Sequence, residues 1–170
     1  MATLVAFAER IEQVPFAAAL AESRYAFPIV EGVHLIGLAL SVGLIFITDL
    51  RLVGVLFKAV PIPDILRHLR PYVLTGFAAV FVSGGLLFWA EASMLVQNPA
   101  FPWKLLFIAL AGVNALYFEF VIAKRAPVRE NHATLPVSVR YAGIASLVLW
   151  ALVIVCGRLI PYLEVSPAAG

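Results

Sequence analysis

The chain has 170 residues, of which 63% are hydrophobic and 13% are charged, and its mean hydropathy is +1.00. Soluble domains are about half apolar and about a quarter charged, so this composition indicates a single membrane domain. The net charge of +2 and the long apolar runs argue against nucleic acid as a partner, and one cysteine excludes an internal disulfide and any CxxC motif.

The N-terminal segment predicts an amphipathic helix that lies on the membrane surface. Leu4, Phe7, Ile11 and Val14 recur at helical spacing, and the charged residues fall on the other side. Pro15 is expected to break or kink this helix. The alternative is a helix that packs on the protein's own bundle.

Four later segments are long and apolar enough to cross a bilayer, which takes roughly 20 apolar residues in a helix. They cover about residues 26–50, 71–90, 103–123 and 141–160, joined by short connections with helix breakers at 59–64, 97–102 and 125–136. This pattern predicts an all-α integral membrane protein with a four-helix bundle. The predicted divisions are the surface helix at 1–22, the membrane domain at 23–162 and a tail at 163–170.

Lysine and arginine are unevenly distributed between the two sides of this domain. Eight of these residues lie in or beside the first and third connections, and four lie on the opposite side. Cytoplasmic loops are enriched in these residues, so both termini are predicted to lie outside the cytoplasm.

The outer half of the predicted bundle carries polar and aromatic residues. Glu31 and His34 lie one turn apart on the same face of the first span, and Trp89 and Arg158 lie near the outer ends of the second and fourth. An ionisable group inside a bilayer costs ~2.5–3.5 kcal/mol on insertion scales, which makes it a candidate functional residue. The alternative is that Glu31 and Arg158 form a buried pair that fixes the helix register.

These residues predict a cofactor site, with haem b as the first candidate and copper as the second. His34 is the expected axial haem ligand or copper ligand, and Met94, just beyond the span, is a second ligand suited to either. Arg158 is placed to neutralise a haem propionate, and Trp89 or the more central Trp150 to pack on the macrocycle. A five-coordinate haem, or a haem held by two copies of His34 across a dimer, is also open.

A second polar group is predicted near the inner surface. Asp49 and Arg51 close the first span, Arg70 opens the second, and Glu119 has a similar depth in the third. This inner cluster is interpreted either as ion pairs that fix helix register or, together with Asn114, as part of a polar path.

Three functions therefore stay open at the level of sequence. The first is a redox or cofactor-binding membrane protein. The second is a structural or accessory subunit that docks a membrane or periplasmic partner or a second copy of itself. The third is a carrier of protons or small solutes. Hydrolysis is disfavoured because GxSxG, HExxH and Gly-rich phosphate-loop motifs do not occur.

Three stretches resemble an uncharacterised bacterial family of small four-helix membrane proteins, a domain of unknown function: "ESRYAFPIVEGVHLIGLALSVG…DLRLVGVL", "NPAFPWKLLFIALAGVNALYFEF" and "LWALVIVCGRLIPY". The resemblance covers about residues 22–162 and implies a four-span fold in the inner membrane. It includes the positions Glu31, His34, Asp49, Arg51, Asn98, Pro99, Asn114 and Arg158.

The resemblance brings no assigned activity. Relatives often carry histidine where this chain has Glu119, so a family site that used that histidine is altered here. More remotely, "HLIG" in the first span is similar to CopD-like copper-resistance proteins and membrane b-type cytochromes.

Overall fold

The structure, a computed structural model, describes residues 2–124 and 136–163. Every regular element in these two ranges is a helix. Almost all of the predicted third connection and of the C-terminal tail lies outside the described residues.

Four long helices form the body of the protein, and each is long and apolar enough to cross a membrane. This confirms the predicted all-α, four-helix membrane fold. The helices are α3 (Ala26–Val53), α4 (Ile62–Ala90), α6 (Ala100–Tyr117) and α7 (Val137–Leu159). A π-helical turn (Phe118–Ile122) extends α6, and a 3₁₀ turn (Ile160–Tyr162) ends α7.

The helix α4 begins well before the apolar run that starts at residue 71. Pro61 is its N-cap and Pro63 lies in its first turn, where the missing backbone N–H of proline costs no helical hydrogen bond. The first part of the helix, residues 62–70, carries Asp64, Arg67 and Arg70, so hydropathy alone does not mark it as helical.

The four long helices pack in the spatial order α4, α3, α7, α6. Close contacts join α3 to α4, α3 to α7 and α6 to α7, whereas α4 and α6 do not pack along their lengths. One end of the bundle carries the α3–α4 and α6–α7 connections and is called the hairpin end. The other end is called the α1 end, after the helix α1 (Ala2–Glu12) that packs there.

Small residues allow the closest of these approaches. A Cβ atom built on Gly76 would lie 3.0 Å from both the backbone N and the Cβ of Ser41, and one built on Gly37 would lie 3.1 Å from the carbonyl oxygen of Gly76. Across the other face of α3, a Cβ on Gly143 would lie 3.1 Å from the carbonyl oxygen of Asp49. Backbones can approach this closely in membranes only where side chains are small.

The N-terminal segment forms two helices, α1 (Ala2–Glu12) and α2 (Pro15–Ala21). The interruption between them falls just before Pro15. Trp89 Nε1 donates a 2.8 Å hydrogen bond to the carbonyl oxygen of Ile11, and Glu12 Oε1 accepts a 2.7 Å hydrogen bond from the backbone N of Ser93. Ser93 lies in the short helix α5 (Ala92–Gln97). The α1 helix is therefore tied to the bundle.

The side chains of Leu4 and Phe7 nevertheless stay exposed on α1. An apolar face at this end of the bundle fits contact with the membrane surface. That contact stays a prediction.

Candidate functional site

A cavity of about 810 Å³ lies between α4 and α6, where these two helices do not pack against each other. Its walls are mainly aliphatic and aromatic. Phe77 packs on Trp150 with ring centroids 5.2 Å apart and on Phe81 at 6.1 Å. Because α3 and α7 form its back, the open side of the cavity faces the lipid.

Two contacts join α4 to α6 near the ends of this gap. Toward the α1 end, the rings of Phe88 and Phe101 stack with centroids 5.7 Å apart. Toward the hairpin end, Arg70 on α4 forms an ion pair with Glu119 on α6. Both helices are irregular here: α4 contains Pro71, and the π-helical turn of α6 includes Glu119.

Asp49 lies at the back of the cavity, on α3. Only 5% of this residue is exposed, and Ser146 of α7 hydrogen-bonds to its carboxyl group. The oxygen Oδ2 has no hydrogen-bond partner among the described residues. A buried polar atom left in this state costs about 1–3 kcal/mol, so Asp49 is the polar group of the cavity that most needs a partner.

The predicted inner cluster is thus divided between different partners. Asp49, Arg70 and Glu119 all line the cavity, and only the last two pair with each other. Arg51 is buried, and its Nε donates a 2.8 Å hydrogen bond to the carbonyl oxygen of Val60 in the α3–α4 connection. Asn114 lines the cavity and donates through Nδ2 to a backbone carbonyl of α7 at 3.1 Å.

His34 is held at the interface of α3 and α4, nearer the α1 end. Its Nδ1 lies 3.1 Å from Ser83 Oγ, and a Cβ atom built on Gly84 would lie 3.0 Å from its Cε1. The Ser83 hydroxyl donates to the carbonyl oxygen of Ala79 at 2.5 Å, so it can only accept from His34. In a neutral imidazole Nδ1 therefore carries the proton and Nε2 the lone pair, and the imidazole also interacts with the backbone carbonyl of Val80.

The other polar residues of the predicted outer group do not close around His34 as one site. Glu31 is exposed and interacts with the imidazole only electrostatically. Arg158 is exposed, with its guanidinium 5.8 Å from the ring centroid of Tyr162. The described residues contain no ion pair between Glu31 and Arg158.

The three remaining predicted ligands and packing residues lie in separate places. Trp89 is engaged with α1 through Ile11 and with the ring of Phe16. Trp150 is buried in the wall of the α4–α6 cavity. Met94 lies on α5, beyond the end of α4, whereas His34 meets α4 about two turns below that end.

Two functional candidates were not predicted from the sequence. Lys104 is not among the predicted site residues; it lies in α6, where it interacts electrostatically with His34 and Cys156. Ser146 is the partner of Asp49. The signal for Ser146 was its spacing of one helical turn from Trp150, which puts both on the same face of α7.

The described residues contain no group of three or more His, Cys, Asp or Glu side chains that could hold a metal ion. A haem iron can be held by one protein ligand, whereas His34 and Met94 do not complete a copper site. The imidazole is suitably fixed for such a role, since a ligating histidine usually has its second nitrogen hydrogen-bonded.

A comparison with family models matches residues 21–163 to a family of unknown function, DUF6644. Comparison with curated proteins and with solved structures gave no match. The matched range includes all four long helices, the cavity and His34, and it leaves out α1 and nearly all of α2. The match confirms the predicted membership of an uncharacterised family, while the bacterial origin and the likeness to CopD-like proteins and b-type cytochromes stay predictions. The chain belongs to the family of unknown function DUF6644.

Proposed function

We propose that this protein binds a small amphipathic molecule, which enters the α4–α6 cavity sideways from the bilayer. One observation carries the proposal: a mainly apolar cavity with the unpaired Oδ2 of Asp49 at its back. Ligand sites typically have volumes of roughly 300–1,000 Å³, apolar walls and a few placed polar groups. A cavity of about 810 Å³ falls in that range.

The arrangement of the helices supports entry from the lipid. The cavity lies where α4 and α6 part, between the Phe88–Phe101 stack and the Arg70–Glu119 ion pair. The exposed fractions of the Arg70 and Glu119 side chains are 53% and 39%, so this pair lies at the edge of the gap and not in the core of the bundle. Such a pair, between two irregular helix segments, can open without disrupting the packing of the core.

Native mass spectrometry of the detergent-purified protein tests this proposal. We expect the unmodified protein to carry a small molecule in stoichiometric amount. Gly112 lines the cavity, and a Cβ built on it meets nothing within 4 Å, so Gly112→Phe should fill the cavity and remove that molecule. Gly85 is equally open but does not line the cavity, so Gly85→Phe is the matched control.

Two results would contradict the binding proposal. One is an unmodified protein that carries nothing beyond loosely held phospholipid in several mild detergents. The other is a Gly112→Phe variant that retains the molecule as well as the Gly85→Phe control does.

A second proposal concerns His34 as a ligand of haem b. The observation that favours it is the fixed imidazole, whose Nδ1 is hydrogen-bonded to Ser83, which leaves the lone pair of a neutral ring on Nε2. We expect a Soret band from protein made in haem-supplied cells, and His34→Ala should abolish it. A featureless spectrum of the unmodified protein, before and after reduction with dithionite, would refute this role.

We also propose that the protein lies in a bacterial inner membrane with both termini outside the cytoplasm. The support is the distribution of lysine and arginine, which favours the α3–α4 and α6–α7 connections. In this orientation the Arg70–Glu119 pair lies toward the cytoplasm and His34 lies in the outer half of the membrane.

A further inference from the structure

We infer that the ligand of the α4–α6 cavity is a neutral, lipid-soluble molecule with a hydroxyl group on an aromatic ring, such as a phenol or hydroquinone, and that this hydroxyl donates to Asp49 Oδ2. The inference rests on the proposed binding function and adds the chemical class of the ligand.

Asp49 has one oxygen to offer. Its carboxyl group already has a hydrogen bond with Ser146. The oxygen Oδ2 has no partner among the described residues, although only 5% of the residue is exposed. A carboxyl oxygen that carries no proton can only accept hydrogen bonds. A ligand that brings a hydroxyl donor can therefore satisfy Oδ2.

Most of the other polar side chains that line the cavity have partners already. Arg70 and Glu119 pair with each other. Thr48 Oγ1 and Asn114 Nδ2 donate to backbone carbonyl oxygens at 3.0 Å and 3.1 Å. A ligand head group is therefore directed to Asp49 and not to the mouth of the cavity.

The aromatic wall lies next to this acceptor. Trp150 is one helical turn from Ser146 on α7, and Phe77 and Phe81 of α4 continue the wall. Aromatic rings pack favourably on one another in offset or tilted arrangements, with about 0.5–1.5 kcal/mol beyond their buried area. A hydroxyl carried on a ring would place the donor at Asp49 while the ring packs on Trp150.

A single hydroxyl also fits better than an ammonium group. A hydroxyl brings one donor, whereas an ammonium brings three, and each donor left unpaired in apolar surroundings is penalised.

The test compares two probes that differ only in the donor, 4-nonylphenol and its methyl ether, 4-nonylanisole. Binding is measured to the full chain in lipid nanodiscs, with empty nanodiscs correcting for partition into the lipid. We expect the phenol to bind at least about tenfold more tightly than the ether, because its hydroxyl gives a partner to a buried oxygen that otherwise has none. Asp49→Leu should bring the phenol down to the affinity of the ether, and Asp64→Leu, which lies outside the cavity, should keep the difference.

Each outcome bears on one of the two proposals. Equal affinity of both probes for the unmodified protein, with binding lost in Gly112→Phe, would overturn the hydroxyl assignment and leave the binding function intact. Tighter binding of nonylammonium than of the phenol would overturn the neutral head group. If neither probe binds although the purified protein carries another molecule, the ligand class is wrong; if no molecule binds at all, the proposed function fails too. The comparison of probes on the unmodified chain does not depend on the folding of any variant.

Discussion

Asn98 shows how one polar side chain orders the α1 end of the bundle. It is 2% exposed, and its Nδ2 donates a 2.8 Å hydrogen bond to the carbonyl oxygen of Ile160, in the turn that ends α7. Its Oδ1 accepts a 3.0 Å hydrogen bond from the backbone N of Ala100 at the start of α6. One amide therefore satisfies backbone groups at the ends of two helices, where such groups lack intrahelical partners.

We expect Asn98→Ala to lower the free energy of unfolding by about 1–3 kcal/mol, because it leaves buried backbone groups without partners. Thermal unfolding in detergent measures the loss. The neighbouring Gln97 is exposed, so Gln97→Ala should change stability by no more than about 0.5 kcal/mol. Equal melting temperatures for the two variants would count against the role given to Asn98.

At the scale of elements, the α3–α4 pair is closest where Gly37, Ser41 and Gly76 meet. The nearest atoms to a Cβ on Gly76 include the backbone N of Ser41, so a methyl group there cannot be accommodated by moving a flexible side chain. Gly85 lies in the same helix, and a Cβ on it meets nothing within 4 Å. Substitutions at these two glycines therefore distinguish the effect of helix packing on stability from the effect of helix propensity.

Replacing each glycine by alanine should change stability in opposite directions. Gly76→Ala should destabilise the protein by about 1–3 kcal/mol through overpacking. Gly85→Ala should be neutral or stabilise it by up to about 1 kcal/mol, because alanine favours the helix. Melting curves of both variants in the same detergent give the comparison, and a stabilised Gly76→Ala would show that α3 and α4 are not in this close contact.

At the scale of the whole molecule, the hairpins α3–α4 and α6–α7 meet through α3 and α7 and part between α4 and α6. The basic residues collect at the hairpin end of this arrangement, which is the basis for the proposed orientation. The orientation decides from which side water-soluble partners reach the Arg70–Glu119 pair.

Reporter fusions test this orientation. Alkaline phosphatase, which is active only outside the cytoplasm, should be inactive when fused after Lys58 and active when fused after Gln97 or Leu163. Lys58 lies at the hairpin end, and Gln97 and Leu163 lie at the α1 end. The reverse pattern of activities would show that the termini are cytoplasmic.

The spans could be predicted from the sequence because a span depends on the hydropathy and the length of one continuous segment. The first turns of α4 and the short helix α5 were missed, since they are not apolar runs but are set by Pro61, Pro63 and the turn after Ala90. The depth of Asp49 and Glu119 was also predictable from helical rise.

The partners of these residues were not predictable, because they depend on which helix faces meet. Trp150 lines a cavity together with Asp49, and its predicted role beside a cofactor stays a prediction. Arg158 lies over Tyr162 and forms no ion pair with Glu31 among the described residues, while its predicted role at a haem propionate stays a prediction. The gap between α4 and α6 results from how the hairpins cross, and it has no signature in any single segment.

The packing order α4, α3, α7, α6 also constrains how the chain is made. During synthesis the first hairpin is complete before α6 leaves the ribosome, yet α6 packs on α7, which emerges last. The third span must therefore wait in the bilayer as a separate helix, surrounded by lipid, until its partner arrives. Such a helix is stable alone because its backbone hydrogen bonds are internal, and the bundle is completed only when α7 joins α6 to the first hairpin.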